Sequence, residues 1–151
     1  MSKISTVYAA IISAINSNFA AKTRLHNPYQ LEENPDIVRK DSWGIKVLEA
    51  NQETVEFCNL SIGRTFSVVF MRQFVSLAGK EDGFDVVTGL ILEDQQTLSG
   101  ILFSPTELYI QSSVDRIEIT NISGIQELAT GEKRYLFGEV TFNILISESI
   151  N

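Results

Sequence analysis

The chain of 151 residues contains one cysteine, Cys58, and one histidine, His26. A single cysteine excludes an intramolecular disulfide, and its neighbours Phe57 and Leu60 indicate a small buried hydrophobic residue rather than a reactive thiol. One cysteine and one histidine are also too few for a structural zinc site. We therefore expect a domain that folds in a reducing cytoplasm through its hydrophobic core alone.

The motifs of common catalytic and nucleotide-binding sites are missing. The sequence has no Gly-x-Ser-x-Gly elbow, no Walker A sequence and no Gly-x-Gly-x-x-Gly loop. His26 and Cys58 are formally a thiol–imidazole pair, but a cysteine in an apolar strand is usually inert. The acids Glu32, Glu33 and Asp36 could at most hold a hydrated calcium ion, and a solvated acidic loop explains them more simply. We expect no catalytic, cofactor or metal site.

Basic residues and long apolar runs are also scarce. The chain has 12 Lys and Arg against 19 Asp and Glu, and the resulting net charge of −7 opposes tight binding to phosphate backbones. The same charge suits a surface past which DNA slides without adhering. No apolar run approaches the roughly 20 residues needed to span a bilayer, so we expect no membrane role.

The first amphipathic element begins at Lys3. Large apolar residues recur there at helical three-and-four spacing, which predicts a helix over residues 3–21 rather than the apolar region of a signal peptide. They are Ile4, Val7, Tyr8, Ile11, Ile12, Ile15 and Phe19. An apolar stripe of this width needs a flat partner such as a sheet.

Four strands and a second helix are predicted from the remaining patterns. Apolar and polar residues alternate at about 43–50, 60–77, 115–122 and 134–147, with a short extended piece at 107–111 and a hairpin turn at 130–133. The second helix is expected over 83–102, with Phe84, Val87, Ile91, Leu98 and Leu102 in one stripe. This order is typical of an α+β fold, an antiparallel-dominated sheet of about four strands with two helices packed on one face. We expect one domain covering residues 1–151.

The sheet face turned away from the helices is expected to stay partly uncovered. In the last strand this face carries Tyr135, Phe137 and Leu145, more large apolar residues than a solvated face usually shows. A contact between subunits and a loop folded over the face explain them equally well. On the opposite, aromatic face, Arg72 is either a cation reaching the sheet rim or a functional group.

Residues 27–44, NPYQLEENPDIVRKDSWG, contain two Asn-Pro turns. Proline fixes its own φ and disfavours the α region for the preceding residue, so Asn27-Pro28 and Asn34-Pro35 shape a non-repeating loop at about 26–43. This segment is either a contact loop with Tyr29 and Trp43 as anchors or a rigid connector. Trp43 is also a candidate for the core.

Together these features resemble the tail terminator, or tail completion, proteins of long-tailed bacteriophages. The likeness covers most of the chain, from the N-terminal helix and Thr23-Arg24-Leu25 to the long closing strand. Between these ends it includes Asn27-Pro28-Tyr29, Glu33-Asn34-Pro35, Lys40-Asp41-Ser42-Trp43-Gly44, Ser61 to Phe66 with Arg64, and Leu90-Ile91-Leu92-Glu93-Asp94.

The resemblance implies a structural virion protein and not an enzyme. Six copies would form a ring that caps the tail tube, ends its polymerisation and presents a surface to a neck or head-completion protein, while genomic DNA passes the lumen. The implied location is the virion tail at the head–tail junction, after assembly in the host cytoplasm. Residues implied in contacts between subunits or onto the tube are Asn27, Pro28, Tyr29, Asn34, Pro35 and Trp43, and the apolar sheet face adds Tyr135 and Phe137.

Other functions fit the same residues. A head-completion or neck connector protein shares the small size, the acidity and the ring formation. A small cytoplasmic α+β enzyme would have to use His26 or Cys58. A generic dimeric module unrelated to phage is the third alternative.

Overall fold

The computed structural model describes residues 3–19, 22–25, 28, 41–56, 59–74, 82–103, 114–130 and 133–149. These residues form two helices and a mixed sheet. In chain order the elements are α1 (Lys3–Asn18), β1 (Thr23–Arg24), β2 (Asp41–Glu56), β3 (Asn59–Phe74), α2 (Asp82–Leu102), β4 (Arg116–Ile122), β5 (Gln126–Thr130) and β6 (Lys133–Ser149). The predicted α+β class is confirmed.

The sheet is built around three long antiparallel strands in the order β2, β3 and β6. The β3–β6 ladder runs without a register shift from the pair Asn59 and Ser149 to the pair Phe74 and Arg134. Strands β4 and β5 both pair with β6, while the short β1 pairs parallel to β2 on the other side. The sheet of six strands is therefore mixed, whereas about four antiparallel-dominated strands were predicted. Neither β1, which has two residues, nor β5 shows a strand pattern of its own.

The aromatic face of the sheet carries the main core and both helices. Phe66 and Phe142 stack in its centre with ring centroids 5.8 Å apart. Tyr8 of α1 stacks on Phe66, and Phe19, just after α1, lies 5.0 Å from Phe70. The predicted inward-facing set in β6 is confirmed, since Leu136, Val140, Phe142, Ile144 and Ile146 are all buried.

Helix α2 contributes Ile91, Leu98 and Leu102 to this core, as its apolar stripe predicts. Phe84 was expected in the same stripe, but its side chain is 44% exposed. Asp94 and Gln95, which interrupt the stripe in sequence, are both buried. The polar interruption is therefore part of the contact between α2 and the sheet.

Gln95 reaches the sheet because β6 has a glycine beneath it. The Gln95 side chain donates hydrogen bonds from Nε2 to the backbone oxygens of Ser123, at 3.2 Å, and Glu139, at 3.3 Å. A Cβ atom on Gly138 would lie 2.7 Å from Gln95 Nε2 and 3.0 Å from Ile91 Cγ2. The absence of a side chain at residue 138 thus allows the close approach of α2.

We expect Gly138→Ala to destabilise the fold by about 1–3 kcal/mol, because Gln95 and Ile91 must move and Gln95 loses its hydrogen bonds. The matched control is Gly89→Ala on the exposed side of α2, where a Cβ meets nothing within 4 Å. That change should stabilise the helix by about 0.5–1 kcal/mol. Urea unfolding of both variants measures the difference, and equal midpoints for the two would contradict this account of residue 138.

Asp94 is the second polar anchor of α2. Arg72 of β3 donates to both carboxylate oxygens, from Nε at 2.8 Å and from Nη2 at 3.0 Å. Lys22 Nζ lies 3.1 Å from the same carboxylate, and Asp41 of β2 lies 3.8 Å from Arg72. The hydrogen bond to Asp94 and the nearby negative charges raise the pKa of Arg72, against the opposing effect of burial. Arg72 therefore joins α2, β3 and β2, which is a structural role.

Replacement of Arg72 by methionine should cost about 3 kcal/mol, because a buried carboxylate then keeps only Lys22 as a partner. The control is Arg134→Met, whose ion pair with Glu127 is half exposed on both sides and should change stability by less than about 0.5 kcal/mol. Because folding raises the pKa of Arg72, the ion pair contributes its full stability at every pH below the ordinary pKa of arginine. This contribution is lost only above that pKa. The Arg72→Met deficit should therefore stay constant between about pH 6 and pH 9 in urea titrations. A deficit that vanishes within this range would show that the ion pair is not its cause.

Candidate interaction surfaces

One half of the second sheet face is covered by the chain that follows β1. Val69 and Met71 of β3 are fully buried there, Tyr135 of β6 is 2% exposed, and all three pack with Leu25 in a second core cluster. Phe137 packs against this cluster and is partly buried. Two explanations were expected for the apolar residues on this face, a contact between subunits and a loop folded over it. For this half, the structure shows a segment of the chain covering the face.

The covering segment lies very close to β2. A Cβ atom on Gly44 would lie 2.8 Å from Pro28 Cβ and 3.2 Å from the backbone oxygen of Leu25. Pro28 is buried, and the Leu25 amide donates to the Trp43 carbonyl at 2.7 Å. Pro28 is therefore packed closely on β2 at Gly44.

We expect Gly44→Ala to displace this segment, since the new methyl group overlaps Pro28 and the Leu25 carbonyl. The cost should be about 1–3 kcal/mol of stability. Trp43 is the only tryptophan and precedes Gly44, so its fluorescence should shift with the displacement. Thr97→Ala, at an exposed position of α2, is the control. An unchanged spectrum with unchanged stability in Gly44→Ala would disprove the close contact.

The other half of this face carries a polar patch of Lys46, Ser67, Glu139 and Thr141. Lys46 Nζ lies 3.1 Å from Glu139 Oε1, and the Ser67 hydroxyl donates to Glu139 Oε2 at 3.1 Å. Thr141 donates to the Ser67 oxygen at 3.4 Å. The hydroxyl of Ser67 faces a carboxylate, but Ser67 is 1% exposed and cannot meet a substrate directly. The patch therefore connects three strands and presents Lys46 and Glu139 at the surface.

The residues predicted for contacts lie in different surroundings. Trp43 is fully buried in the main core, and Arg24 stacks over its ring at 5.6 Å. Tyr135 is buried in the second cluster, so Trp43 and Tyr135 can brace a contact but cannot form one directly. Phe137 is only partly buried. The structure thus brings Pro28, Tyr135 and Phe137 to one sheet face and places Trp43 on the other.

Several predicted residues lie outside the described part of the chain. They are Asn27, Tyr29, Asn34 and Pro35 of the proposed contact loop, His26, Cys58, and the acids Glu32, Glu33 and Asp36. The extended piece predicted at 107–111 lies outside it as well. Their roles stay predictions.

A groove between α2 and the end of β4 was not predicted. It has a volume of about 710 Å³ and is lined by Leu92, Gln95, Gln96, Ser99, Gly100, Phe103 and Ile122. Leu92, Phe103 and Ile122 are each more than half exposed. We call this feature the α2–β4 groove. The signal in the sequence was Leu92, Gln96 and Phe103, which follow one another at helical spacing beside the core stripe.

Within the described ranges, no three His, Cys, Asp or Glu side chains come together as a metal site would require. Neither α1 nor α2 is long and apolar enough to cross a membrane. The sequence matches no protein family model and no curated protein.

Proposed function

We propose that this chain is a structural protein of a bacteriophage tail, a terminator subunit that works by binding other proteins. The resemblance in the sequence supports this function, and one feature of the surface carries it. All large hydrophobic side chains that are exposed in the described part of the chain belong to α2, to the residue that follows it, or to the end of β4. They are Phe84, Val86, Leu92, Phe103 and Ile122. These side chains lie on more than one side of α2, and exposed apolar surface along a helix is typical of proteins that assemble with other proteins.

The proposed assembly is a ring of six copies on the end of the tail tube. A closed ring uses heterologous contacts, so each subunit needs two different patches that fit each other. The two candidates are the chain before β2, since residues 41–43 of the predicted Asn-Pro loop belong to that strand, and the start of α2 at Val86, which is 61% exposed. Among the described members of the predicted contact set, Phe137 has a partly accessible side chain, and Trp43 and Tyr135 would support the surface from below.

The ring would end tube growth and offer its other side to a neck or head-completion protein at the head–tail junction. The net charge of −7 per chain is compatible with a lumen through which DNA passes without adhering. The chain would reach this place in the virion after folding in the host cytoplasm. No cofactor takes part in this function.

The test is polymerisation of purified tail-tube protein from the same virus with and without this protein, followed by negative-stain imaging. We expect shorter tubes with capped ends and six-fold rings in end views. Val86→Glu should lower the yield of rings at least tenfold, because a charge in an apolar contact is costly (~1.4 kcal/mol per factor of ten). Thr97→Glu adds the same charge at another exposed position of α2 and is the matched control.

Two outcomes would contradict the proposal. One is a stable monomer at all concentrations that leaves tube length unchanged. The other is binding to the neck side of finished tails without any effect on tube growth, which would favour a neck connector. An enzyme would instead show turnover that is lost when His26 and Cys58 are replaced by alanine.

A further inference from the structure

The negative charge of the protein comes from one segment. The 35 residues from Glu81 to Asp115 contain seven acidic residues and no lysine, arginine or histidine. The other 116 residues carry twelve acidic and twelve basic residues and contribute no net charge. The net charge of −7 is therefore concentrated in the segment that contains α2.

One exposed acid and two exposed apolar residues lie along one side of α2. Asp85 precedes Leu92 by seven residues and Phe103 by eighteen, which is close to two and five complete helical turns. These three side chains therefore lie in line, and all of them are exposed, as is Glu93. Asp94 is buried and paired with Arg72 and Lys22, so its charge is neutralised within the fold. Asp85 therefore lies on the same side of α2 as the groove, two turns before Leu92, whereas Glu93 lies on another side, where its charge acts on Arg72.

The groove has its shape without a bound partner. Gln95 fixes α2 to Ser123 and Glu139, directly beside Ile122. Ser99 donates its hydroxyl to the Gln95 carbonyl at 2.9 Å, and a Cβ on Gly100 would meet nothing within 4 Å. Small residues thus leave the centre of the groove open between Leu92 and Phe103. A preformed site of this kind loses little free energy to ordering when it binds.

We propose that the α2–β4 groove binds a cationic amphipathic helix of another protein. Its large apolar side chains would pack on Leu92, Phe103 and Ile122, and a lysine or arginine at one end would face Asp85. Leu92 and Phe103 are eleven residues apart, about 16 Å along the helix axis, which a partner helix covers in three turns.

Charge decides against a second copy of this chain as the occupant. A second copy brings the same acidic segment, and outside that segment its acidic and basic residues are equal in number. It therefore has no excess of positive charge to offer. A partner rich in lysine or arginine gains attraction where a second copy gains none. Binding of a cationic helix in the groove does not depend on the tail function proposed above.

Two synthetic helical peptides test the groove, both with the same leucine face and one with lysine, the other with glutamate, on the polar face. Fluorescence anisotropy with the full chain at about 50 mM salt measures their binding. We expect the lysine peptide to bind at least tenfold more tightly than the glutamate peptide and to weaken as salt increases. Amide NMR shifts should be confined to residues around Leu92, Phe103 and Ile122.

Matched variants separate the apolar from the charged contribution. Phe103→Ser should weaken the lysine peptide at least tenfold, whereas Val86→Ser, at an exposed apolar residue elsewhere on α2, should have no effect. Replacing Asp85 by Asn should reduce the preference for lysine over glutamate several-fold. Circular dichroism melting shows that each variant is folded.

Four results would overturn the proposal. They are no binding of either peptide, equal binding of both, binding that Phe103→Ser leaves unchanged, and self-association of the chain that Phe103→Ser abolishes. The last would show that a second copy fills the groove. The tube-growth assay with Val86→Glu tests a different surface. The tail function can therefore fail while the groove still binds the lysine peptide, and peptide binding can fail while the tail function holds.

Discussion

The close packing of α2 on β6 at Gly138 is the constraint on which the rest of the structure depends. Gly138 leaves room for Gln95, whose amide reaches two backbone carbonyls, and Asp94 is fixed next to it by Arg72 and Lys22. These polar contacts set the rotation of α2 about its axis. The same rotation buries Ile91 and Leu98 and turns Leu92 outward beside Ile122. The core and the α2–β4 groove therefore have one common origin.

The two faces of the sheet are completed in different ways. The aromatic face is closed by two helices whose apolar stripes match it. The second face is closed in part by a few residues, Leu25 and Pro28, that come directly after β1 and lie over β2 and β3. Lys46, Glu139 and Ser67 continue that face as a set of mutually paired polar groups. A single short segment can cover β2 because Gly44 permits backbone contact at close range.

The parts of the fold that depend on periodic apolar residues could be predicted from the sequence. Helix α2 was expected over 83–102 and is observed as Asp82–Leu102, and the alternation in the last strand identified the buried set from Leu136 to Ile146. The short strands β1 and β5 depend on pairing with β2 and β6, so their own residues gave no signal. Asp94 and Gln95 were interpreted as breaks in a stripe, because their partners are distant in sequence. The groove was missed for a related reason, since Leu92 and Ile122 approach each other only when α2 is packed on the sheet.

The central position of β6 has a consequence for synthesis of the protein on the ribosome. Strand β6 lies between β3 and the pair β4 and β5, yet it is the last element of the described chain. Only the β2–β3 hairpin can form its pairing early, because every other ladder except the two-residue β1 pairing includes β6. Until residues 133–149 emerge, α2 has no strand to receive Gln95, and its apolar stripe can be covered only in part, by β3. The nascent chain is thus expected to need shielding by chaperones until residues 133–149 are available.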